Sequence, residues 1–557
     1  MNVSNSTTSE DEKLTNRYHN DQWNNINWSE VELLVNRLQA RITKAVIKEN
    51  WNLVKRLQYL LVHSSYAKLL AVRKVIQNKG KRTAGVDGER WLSPQTKMKA
   101  ALNLTNRKYK AKPLKRVYIE KRSTKNGKKK KRPLGIPTMH DRAMQALYAL
   151  SLDPISEAIA DRTSFGFRKY RSAQDACEQL FTCLCNRHSA EWVLEGDIKG
   201  CFDNINHQWL INNTPMDKSI LNQFLKAGFI YNHHLNPTKF GTPQGGPISP
   251  IMANIALDGI EKLLFTKYRT GKRGKYNSLV RCQNKVNFVR YADDFVVTAS
   301  SEELAREIKE LLSPFLKERG LELSEEKTLI THIDDGFDFL GWNFRKYKGK
   351  LLIKPSRDSI ASITETIRNT VIKGRAWTQE SLIVTLNPII TGWCNYHQAV
   401  VSKKVFSNLD NKLWNLLWKW AKRRHPNKSK EWILRKYWHQ IGTRKWVFST
   451  ENNKLKYFAS TSIVRHPKLN LGKNPYLDKE YFDTRKYKQG ARKLAGKFKK
   501  IWTKQKGKCY FCDQSLDIAE ERDLHPIIPI ADGGTYRIDN LVYVHKHCYQ
   551  QHKAIKG

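Results

Sequence analysis

The stretch FVRYADDFVV, residues 288–297, carries more information than any other part of this 557-residue chain. It reads as two short apolar strands joined by a tight turn, with Asp293 and Asp294 at the turn. Two adjacent carboxylates inside an apolar hairpin are costly unless cations neutralise them or their pKa rises. Because Asp-Asp is also a common turn pair, these letters alone are weak evidence of function.

A second strand-like segment adds another carboxylate. Residues 193–198, VLEGDI, read as an apolar strand near whose end Asp197 lies. Arg290 is a side chain that could neutralise one of the three carboxylates, but divalent cations would do so more completely. Carboxylates on neighbouring strands can hold two Mg²⁺ ions about 3.5–4 Å apart, which favours phosphoryl transfer.

The composition points to a nucleic-acid partner. The chain has 99 Lys and Arg against 52 Asp and Glu, a formal charge of +47, and the basic runs are interleaved with aromatic residues. Such a surplus repels itself unless a polyanion neutralises it, so nucleic acid is favoured over a merely charged, soluble surface. With 40% hydrophobic residues the chain can form cores, which excludes general disorder.

Other function classes are disfavoured by simple patterns. No run of 18 apolar residues exists, so no membrane span or membrane partner is predicted, and the polar start MNVSNSTTSEDEK does not resemble a secretory signal. Nine scattered Cys residues are typical of a reducing compartment. We expect the bacterial cytoplasm, associated with the nucleoid, with an organelle as the open alternative.

Several blocks together resemble the successive motifs of reverse transcriptases, in that family's order and spacing, over about residues 80–345. The blocks are KRPLGIP (131–137), SFGFRKYRSAQDA (164–176), GDIKGCFDNI (196–205), GTPQGGPISPIMANIAL (241–257), FVRYADDFVV (288–297) and GFDFLGW (336–342). GWCNYHQAV, residues 392–400, resembles the start of the maturase-specific region of group II intron-encoded proteins. The chain therefore resembles that family.

The resemblance implies roles for individual positions. Asp197, Asp293 and Asp294 would be the catalytic triad that binds two Mg²⁺ ions, and Tyr291 would pack beneath the primer end. Phe202 would exclude a ribose 2′-hydroxyl by contact with C2′. The positions implied in nucleotide binding are Gln244, Gly245 and Gly246 beside the incoming base, and Arg132, Arg171 and Lys130 at the triphosphate. For Arg171, an ordinary surface charge is the alternative.

After the polymerase-like blocks, the chain becomes rich in Trp: residues 375–446 contain eight of the 16. Leu413, Trp414, Leu417, Trp418 and Ala421 share one helical face, which is typical of a core. The resemblance implies a thumb, called domain X, that also grips the intron RNA. The candidate RNA-binding residues are Lys403, Lys404, Arg423 and Arg424, for which simple solvent exposure is about equally plausible.

The last segment has metal-ligand spacing. Cys509-x-x-Cys512 and His545-x-x-Cys548 form two knuckles of the kind that bind one tetrahedral Zn²⁺ ion. Because a segment of this size is too small for a good core, we expect zinc to be a structural staple.

Between the knuckles, LHPIIPIADGG (524–534) resembles the HNH endonuclease module of this family. Asn540 keeps its place, but Pro526 stands where the catalytic His is expected and Tyr549 where the final His is expected. Two interpretations follow. The module is a DNA-binding relic without nuclease activity, or His525 or His552 substitutes for the lost base. We favour the relic, because a lost general base costs about 10²–10⁴-fold in rate.

The alternation of short strands and helices before residue 355 predicts an α+β fold, and the resemblance implies a right-hand polymerase with fingers, palm and thumb followed by a ββα-type zinc module. We expect a helix to begin at the capping box Ser29-x-x-Glu32. The predicted units are a flexible leader (1–28), an N-terminal extension with fingers (29–195), a palm (196–355), a thumb or domain X (356–446), a basic DNA-binding region (447–500) and the HNH-like module (501–557).

The predicted function is a group II intron reverse transcriptase and maturase. Its implied partners are the intron RNA, a DNA target and primer, and deoxynucleoside triphosphates, and its implied activities are splicing assistance and target-primed cDNA synthesis during intron homing. The alternatives are a standalone reverse transcriptase of another lineage and a non-catalytic RNA chaperone. The maturase-like segment argues against the first, and the intact Asp triad argues against the second.

Overall fold

The computed structural model describes residues 7–556 except 121–130, 272–273, 495 and 517–521. The described chain opens with five helices. They are α1 (Thr7–Asn24), α2 (Trp28–Ile47), α3 (Trp51–His63), α4 (Ser65–Gln77) and α5 (Pro94–Leu102). The sequence breaks between them carry their own caps, since Asn27 and Asn50 accept hydrogen bonds from the first turns of α2 and α3.

Two predictions about the start of the chain are wrong. Helix α1 occupies most of the predicted leader, and Trp23 is buried with its ring 5.3 Å from that of Trp28. Ser29 is not the N-cap, because Asn27 holds that position, and the Ser29 hydroxyl instead donates to the carbonyl of Cys512, 483 residues away. The partners of α1, among them α5 and α21, are distant in sequence, so no local pattern signals this helix.

The next elements form a basic sheet and two long helices. They are β1 (Leu114–Glu120), β2 (Lys131–Ile136), α6 (Met139–Ile159) and α7 (Ala173–Leu184). A later hairpin, β4 (Phe229–Tyr231) and β5 (His234–Asn236), completes a four-stranded sheet in the order β2-β1-β4-β5. Helix α6 is buried almost throughout and packs against α2, α3 and α4.

The central antiparallel sheet has the order β6-β7-β3-β8. Its strands are β3 (Trp192–Asp197), β6 (Asn287–Tyr291), β7 (Asp294–Ala299) and β8 (Leu329–His332). Helices in the connections are α8 (Cys201–Asn204), α9 (His207–Asn213), α10 (Lys218–Leu225), α11 (Ser249–Leu257), α12 (Ile260–Tyr268), α13 (Ser278–Asn284) and α14 (Glu302–Glu318). The predicted boundary after residue 195 therefore falls inside β3.

Side chains alternate across this sheet, as the two-residue period of a strand requires. Leu194 and Phe295 face a core that also contains α6, α11 and α14. Val193 and Val296 face a second core that contains α7 and the small sheet that follows. The central sheet is thus covered on both faces, and the site discussed below lies at one end of its strands.

A three-stranded sheet leads into a helical unit. Its strands are β9 (Phe337–Phe339), β10 (Trp342–Tyr347) and β11 (Lys350–Pro355). The helical unit contains α15 (Arg357–Lys373), α16 (Gln379–His397), α17 (Lys403–Arg424), α18 (Lys430–Tyr437) and the hairpin β12 (Trp438–Ile441) with β13 (Arg444–Phe448). Leu413, Leu417 and Ala421 are buried in its core as predicted, while Trp414 and Trp418 are partly buried at its edge.

Two predicted boundaries of the C-terminal half also need correction. The boundary after residue 446 falls inside β13, whose Phe448 belongs to the core of the helical unit. The boundary after residue 500 falls inside α20 (Gly496–Lys504), which follows α19 (Lys479–Lys493). Between the helical unit and α20 the chain crosses the central unit, where Leu469 and Phe482 are buried in its second core.

The last unit is a ββα arrangement, as predicted. Strands β14 (Arg522–Pro526) and β15 (Leu541–His545) pair antiparallel and are followed by α21 (Lys546–Lys556). This unit contacts the first helices of the chain: Gln551 of α21 donates to the carbonyls of Asn24 and Ile26 at 2.6 and 3.1 Å. Among the described residues, no helix is long and apolar enough to cross a membrane.

Candidate active site and metal centres

Strand register brings the three predicted carboxylates to one place. Asp197, the last residue of β3, lies directly opposite Asp294, the first residue of β7. Asp294 also pairs with Tyr291 across the β6–β7 hairpin, so Asp293 sits in the tight turn between them. Ala292 in this turn has a φ of 59°, in the left-handed region. The predicted juxtaposition of Asp197 with the hairpin is therefore what the structure contains.

Two glycines permit this close packing. A Cβ on Gly196, next to Asp197, would lie 2.1 Å from the ring of Phe295. A Cβ on Gly166 would lie 2.1 Å from the backbone nitrogen of Ala292. Any larger side chain would push the β6–β7 turn away from its neighbours, so both positions fix where the carboxylates stand.

Burial and mutual repulsion act on the carboxylates more strongly than the nearby cations do. Burial raises the pKa of Asp294 to about 7, and repulsion from Asp293 and Asp197 adds to the effect. Burial also raises the pKa of Asp293, with a further contribution from Asp197. Lys327 and Arg132 oppose both shifts. Three carboxylate side chains at one place, two of which have raised pKa values, match the donor set of a divalent cation site.

Lys327 is a site residue that the sequence analysis missed. Its Nζ lies 2.8 Å from Oδ2 of Asp197. The loop that carries Lys327 is tied to β3, because the backbone nitrogen of Ser324 donates to the carbonyl of Asp197 at 2.8 Å. No local sequence pattern predicts this contact, because the two residues are 130 positions apart.

The interpretation that Arg290 could neutralise the triad is wrong. Its guanidinium is fully buried and pairs with Asp258, and it also donates to Asn254 Oδ1 at 3.1 Å and to the carbonyl of Ala292 at 3.2 Å. Arg290 therefore supports the β6–β7 turn through the carbonyl of Ala292. Its charge is balanced by Asp258 and not by the three carboxylates.

Arg171 is also engaged elsewhere, contrary to the prediction that it holds a triphosphate. Its side chain is 3% exposed, and its guanidinium pairs with Glu157 at 3.0 Å and donates to the carbonyls of Arg162 and Ser164. Arg168 shares the same carboxylate at 2.6 Å. Arg171 thus holds the 162–172 loop in shape and is not a free surface charge either.

Of the other predicted nucleotide-binding residues, Arg132 lies close enough to the triad to lower the pKa of Asp293 and Asp294. Arg132 is exposed on β2, opposite Ile119, and Lys130 lies outside the described residues. Phe202 is half-buried, and its ring lies 5.9 Å from that of Phe167.

The glycine-rich loop 241–247 packs against β2. The backbone nitrogen of Gly135 donates to the carbonyl of Gln244 at 2.9 Å, and the Gln244 side chain donates to Asp203 at 3.3 Å. Gly245 has a φ of +126°, and a Cβ there would lie 2.7 Å from the carbonyl of Gly135. The loop therefore reaches from the strand that carries Arg132 to the helix that carries Phe202.

The four predicted zinc ligands form a cluster. One ligand atom from each of Cys509, Cys512, His545 and Cys548 lies within 4.8 Å of the others. The Sγ of Cys512 is 3.4 Å from Nδ1 of His545. Three sulfurs and one imidazole at such spacing match the donor set of a Zn²⁺ site.

The HNH-like residues have structural contacts. Asn540 closes the loop 528–540, because its side chain accepts from the nitrogen of Ile528 and donates to the carbonyls of Ile528 and Thr535. The ring of His525 lies 4.3 Å from that of Tyr549, and His552 stacks on Phe511 at 4.4 Å. Burial lowers the pKa of His525, and His552 lowers it further.

Two of the four residues predicted to contact RNA form hydrogen bonds within the protein. Lys403 Nζ donates to the carbonyls of Ala459 and Thr461, both at 2.8 Å. Arg424 donates to the carbonyls of Arg375 and Trp377. Lys404 and Arg423 are exposed. Their neighbours Lys403 and Arg424 instead fasten helix α17 to adjoining segments.

Comparisons with known proteins cover most of the chain. A family model described as "N-terminal domain of reverse transcriptase" matches residues 23–104, and one described as "Reverse transcriptase (RNA-dependent DNA polymerase)" matches residues 119–344. A third, "Group II intron, maturase-specific domain", matches residues 360–438.

Two bacterial relatives extend the likeness. The chain is 31% identical to group II intron-encoded protein LtrA of Lactococcus lactis subsp. cremoris, over 61% of this chain and 69% of the relative. It is 30% identical to protein YkfC of Escherichia coli K12, over 60% of this chain and 93% of the relative. A solved telomerase from Candida albicans matches 60% of this chain and 67% of that chain with a TM-score of 0.33 and 13% identity.

Proposed function

The chain belongs to the family of group II intron-encoded reverse transcriptases and maturases, and from that premise we propose how its own residues carry out RNA-directed DNA synthesis. The observation that carries the proposal is the register of β3 and β7, which sets Asp197 opposite Asp294. We assign Asp197, Asp293 and Asp294 as the catalytic carboxylates. The central sheet would be the palm, the β2-β1-β4-β5 sheet part of the fingers, and helices α15–α17 the thumb.

The reaction needs a primer 3′-hydroxyl to attack the α-phosphate of a deoxynucleoside triphosphate. Two Mg²⁺ ions at the triad would lower the cost of ionising that hydroxyl and of releasing pyrophosphate. The chain's own contribution is to hold three carboxylates in fixed positions, so that the bound Mg²⁺ ions would lie where the reaction requires positive charge. No histidine base is needed for this scheme, and none stands among the residues assigned to it.

Substrate selection would come from the walls around the triad. Phe202 is proposed to contact C2′ of the incoming sugar and so to exclude ribonucleotides. Gln244 and Gly245 would lie beside the incoming base, and exposed Arg132 would contact the triphosphate. Tyr291 would support the primer end. The buried pairing of Arg171 with Glu157 speaks for a scaffolding role of that residue in place of nucleotide contact.

The decisive experiment separates DNA synthesis from splicing. Asp293→Ala with Asp294→Ala should abolish cDNA synthesis while intron splicing persists, because splicing uses RNA binding and not the triad. A matched control is Asp334→Ala with Asp335→Ala, an exposed Asp pair in the β8–β9 loop. If the triad variant still makes cDNA at the rate of the control, the assignment of the triad is wrong.

We further propose that the protein takes part in target-primed intron homing, with the basic region after residue 447 and the C-terminal module contacting target DNA.

We assign Zn²⁺ a structural role at the Cys₃His cluster. The hydrogen bonds of Asn540, and the ring contacts of His525 with Tyr549 and of His552 with Phe511, favour a module that binds DNA without cutting it. Robust nicking of a target duplex by the native chain would overturn that choice. The two bacterial relatives support a bacterial host, and we propose the cytoplasm as the location.

A further inference from the structure

The loop between α6 and α7 holds an aromatic residue in an unfavourable position. Phe167 has a φ of 60°, in the left-handed region, and the residue is 50% exposed. Bulky residues rarely adopt this backbone conformation, and a half-exposed phenyl ring recovers little of the cost through burial. Such a residue persists only where neighbouring contacts impose its conformation, and such positions cluster at sites that contact ligands.

The contacts that impose this conformation begin at the next residue along the chain. Arg168 is buried, and its Nε and Nη2 donate to the two carboxylate oxygens of Glu157 at 2.7 and 2.6 Å. Its Nη1 also donates to the carbonyl of Ser164 at 3.0 Å. A two-pronged buried ion pair of this kind fixes the backbone that follows Phe167.

The residue before Phe167 is fixed as well, and it lies against the triad. The Nδ2 of Asn254, on buried helix α11, donates to the carbonyl of Gly166 at 3.0 Å. Gly166 packs so closely on the β6–β7 turn that a Cβ would lie 2.1 Å from the backbone nitrogen of Ala292. The strained Phe167 therefore has a fixed position relative to the turn that carries two of the three carboxylates.

The ring of Phe167 contacts the ring of Phe202. Their centroids are 5.9 Å apart and their planes make an angle of 82°, which is an edge-to-face arrangement. The backbone of Phe202 is held by the glycine-rich loop, because its carbonyl accepts from the nitrogen of Thr242 at 2.7 Å. The Phe202 side chain is only half-buried, so its ring depends on neighbours such as Phe167 to stay in one orientation.

We propose that Phe167 is a second specificity-determining residue, which holds the ring of Phe202 where it excludes a 2′-hydroxyl. The inference rests on the proposed function, because that function assigns the exclusion of ribonucleotides to Phe202. A ring rejects ribose by collision only if it cannot turn aside, and a second ring set at a right angle to it blocks that rotation. Phe167 is thus a positioning residue, and its strained loop links the exclusion of ribose to the position of the triad.

The test measures discrimination, defined as the ratio of kcat/KM for a deoxynucleoside triphosphate to that for the matching ribonucleoside triphosphate in primer extension. Phe167→Ala should lower this ratio at least about tenfold, mainly through a higher kcat/KM for the ribonucleotide. Phe167→Tyr keeps the ring and should keep the ratio. Tyr276→Ala removes a 61% exposed aromatic side chain between α12 and α13, and should behave as the native chain does.

Phe167→Gly separates positioning from a merely structural role. Glycine adopts a φ of 60° without strain, so this variant should melt at or above the temperature of the native chain. Its discrimination should nevertheless fall as far as that of Phe167→Ala. A Gly variant that melts as expected but discriminates like the native chain would overturn the proposal.

A double-mutant cycle shows whether Phe167 acts through Phe202. Phe202→Val alone should lower discrimination, and adding Phe167→Ala should lower it little further. Losses that multiply fully would overturn the positioning role. A loss in Phe202→Val with none in the Phe167 variants would overturn this inference alone, whereas native discrimination in Phe202→Val would overturn the role proposed above for Phe202.

Discussion

Lys327 and Asp197 form an ion pair of 2.8 Å between Nζ and Oδ2, which links the loop after α14 to the end of β3. Among the described residues, Lys327 is the cation that forms an ion pair with one of the three carboxylates. It lowers the pKa of both Asp293 and Asp294, against the larger effect of burial. This residue therefore tunes the site that the triad forms.

Replacement of Lys327 by Met should shift the pH dependence of DNA synthesis. Without the ammonium the pKa of Asp294 rises above its value of about 7, so the acidic limb of the profile moves to higher pH. The measurement is primer-extension rate against pH at limiting Mg²⁺. Lys317→Met, at an exposed position of α14, is the control and should leave the profile in place. An unchanged profile in both variants would remove Lys327 from the site.

Asp294→Asn should stabilise the metal-free protein at pH 8. The folded-state pKa of Asp294 is raised, so the native state binds a proton that the unfolded chain releases above its ordinary pKa of 3.8. The resulting penalty is absent at low pH and complete above pH 7. Removing the charge should gain on the order of 1 kcal/mol, seen as a higher melting temperature at pH 8 than at pH 5 relative to the native chain. Equal melting shifts at both pH values would contradict this account.

Gly196→Ala should impair both folding and synthesis, because its Cβ would overlap the ring of Phe295 at 2.1 Å. We expect a loss of about 1–3 kcal/mol in stability and a fall in primer extension of at least about tenfold. Gly392→Ala is the control, since a Cβ on Gly392, within helix α16, meets nothing within 4 Å. That variant should be neutral or slightly stabilised. A Gly196 variant as active as the control would show that the sheet tolerates more movement than the packing indicates.

Removal of zinc should make the C-terminal module, and the first helices that contact it, more flexible. The knuckles contact the first helices directly: Cys512 accepts from Ser29, and His547 pairs with Arg73. Chelation should therefore speed amide exchange in α21 and in the first turns of α2, with no change in α14. Hydrogen exchange with mass spectrometry, with and without chelator, measures this. Faster exchange in α21 alone would show that the contacts do not depend on the metal.

The clustering of Asp197, Asp293 and Asp294, and that of the four Cys and His residues, could be predicted because short local patterns mark each set. Asp293 and Asp294 interrupt an apolar hairpin, and Asp197 lies near the end of an apolar run, so strand pairing alone brings them together. The Cys-x-x-Cys and His-x-x-Cys spacings are equally local. The family models and the relative LtrA confirm the predicted membership of the reverse transcriptase and maturase family.

What the sequence did not reveal depends on contacts between distant segments. Arg290 pairs with Asp258 and Arg171 with Glu157, so charges that look available in the sequence are buried. Lys403 and Arg424 also look available in the sequence, but they donate to backbone carbonyls of segments that are distant along the chain. Helix α1 is stabilised by segments remote in sequence, which is why a leader was predicted there. Local periodicity contains no information about such partners.

The central claim is that Asp197 acts together with the β6–β7 turn at one metal-dependent site. Its most direct test is primer extension by purified protein on an RNA template across a Mg²⁺ titration, comparing the native chain with Asp197→Asn, a change that keeps shape and removes charge. The account predicts Mg²⁺-dependent synthesis by the native chain and at least about a 10³-fold loss in the variant, with circular dichroism unchanged. Synthesis by the variant at a rate near that of the native chain would contradict it.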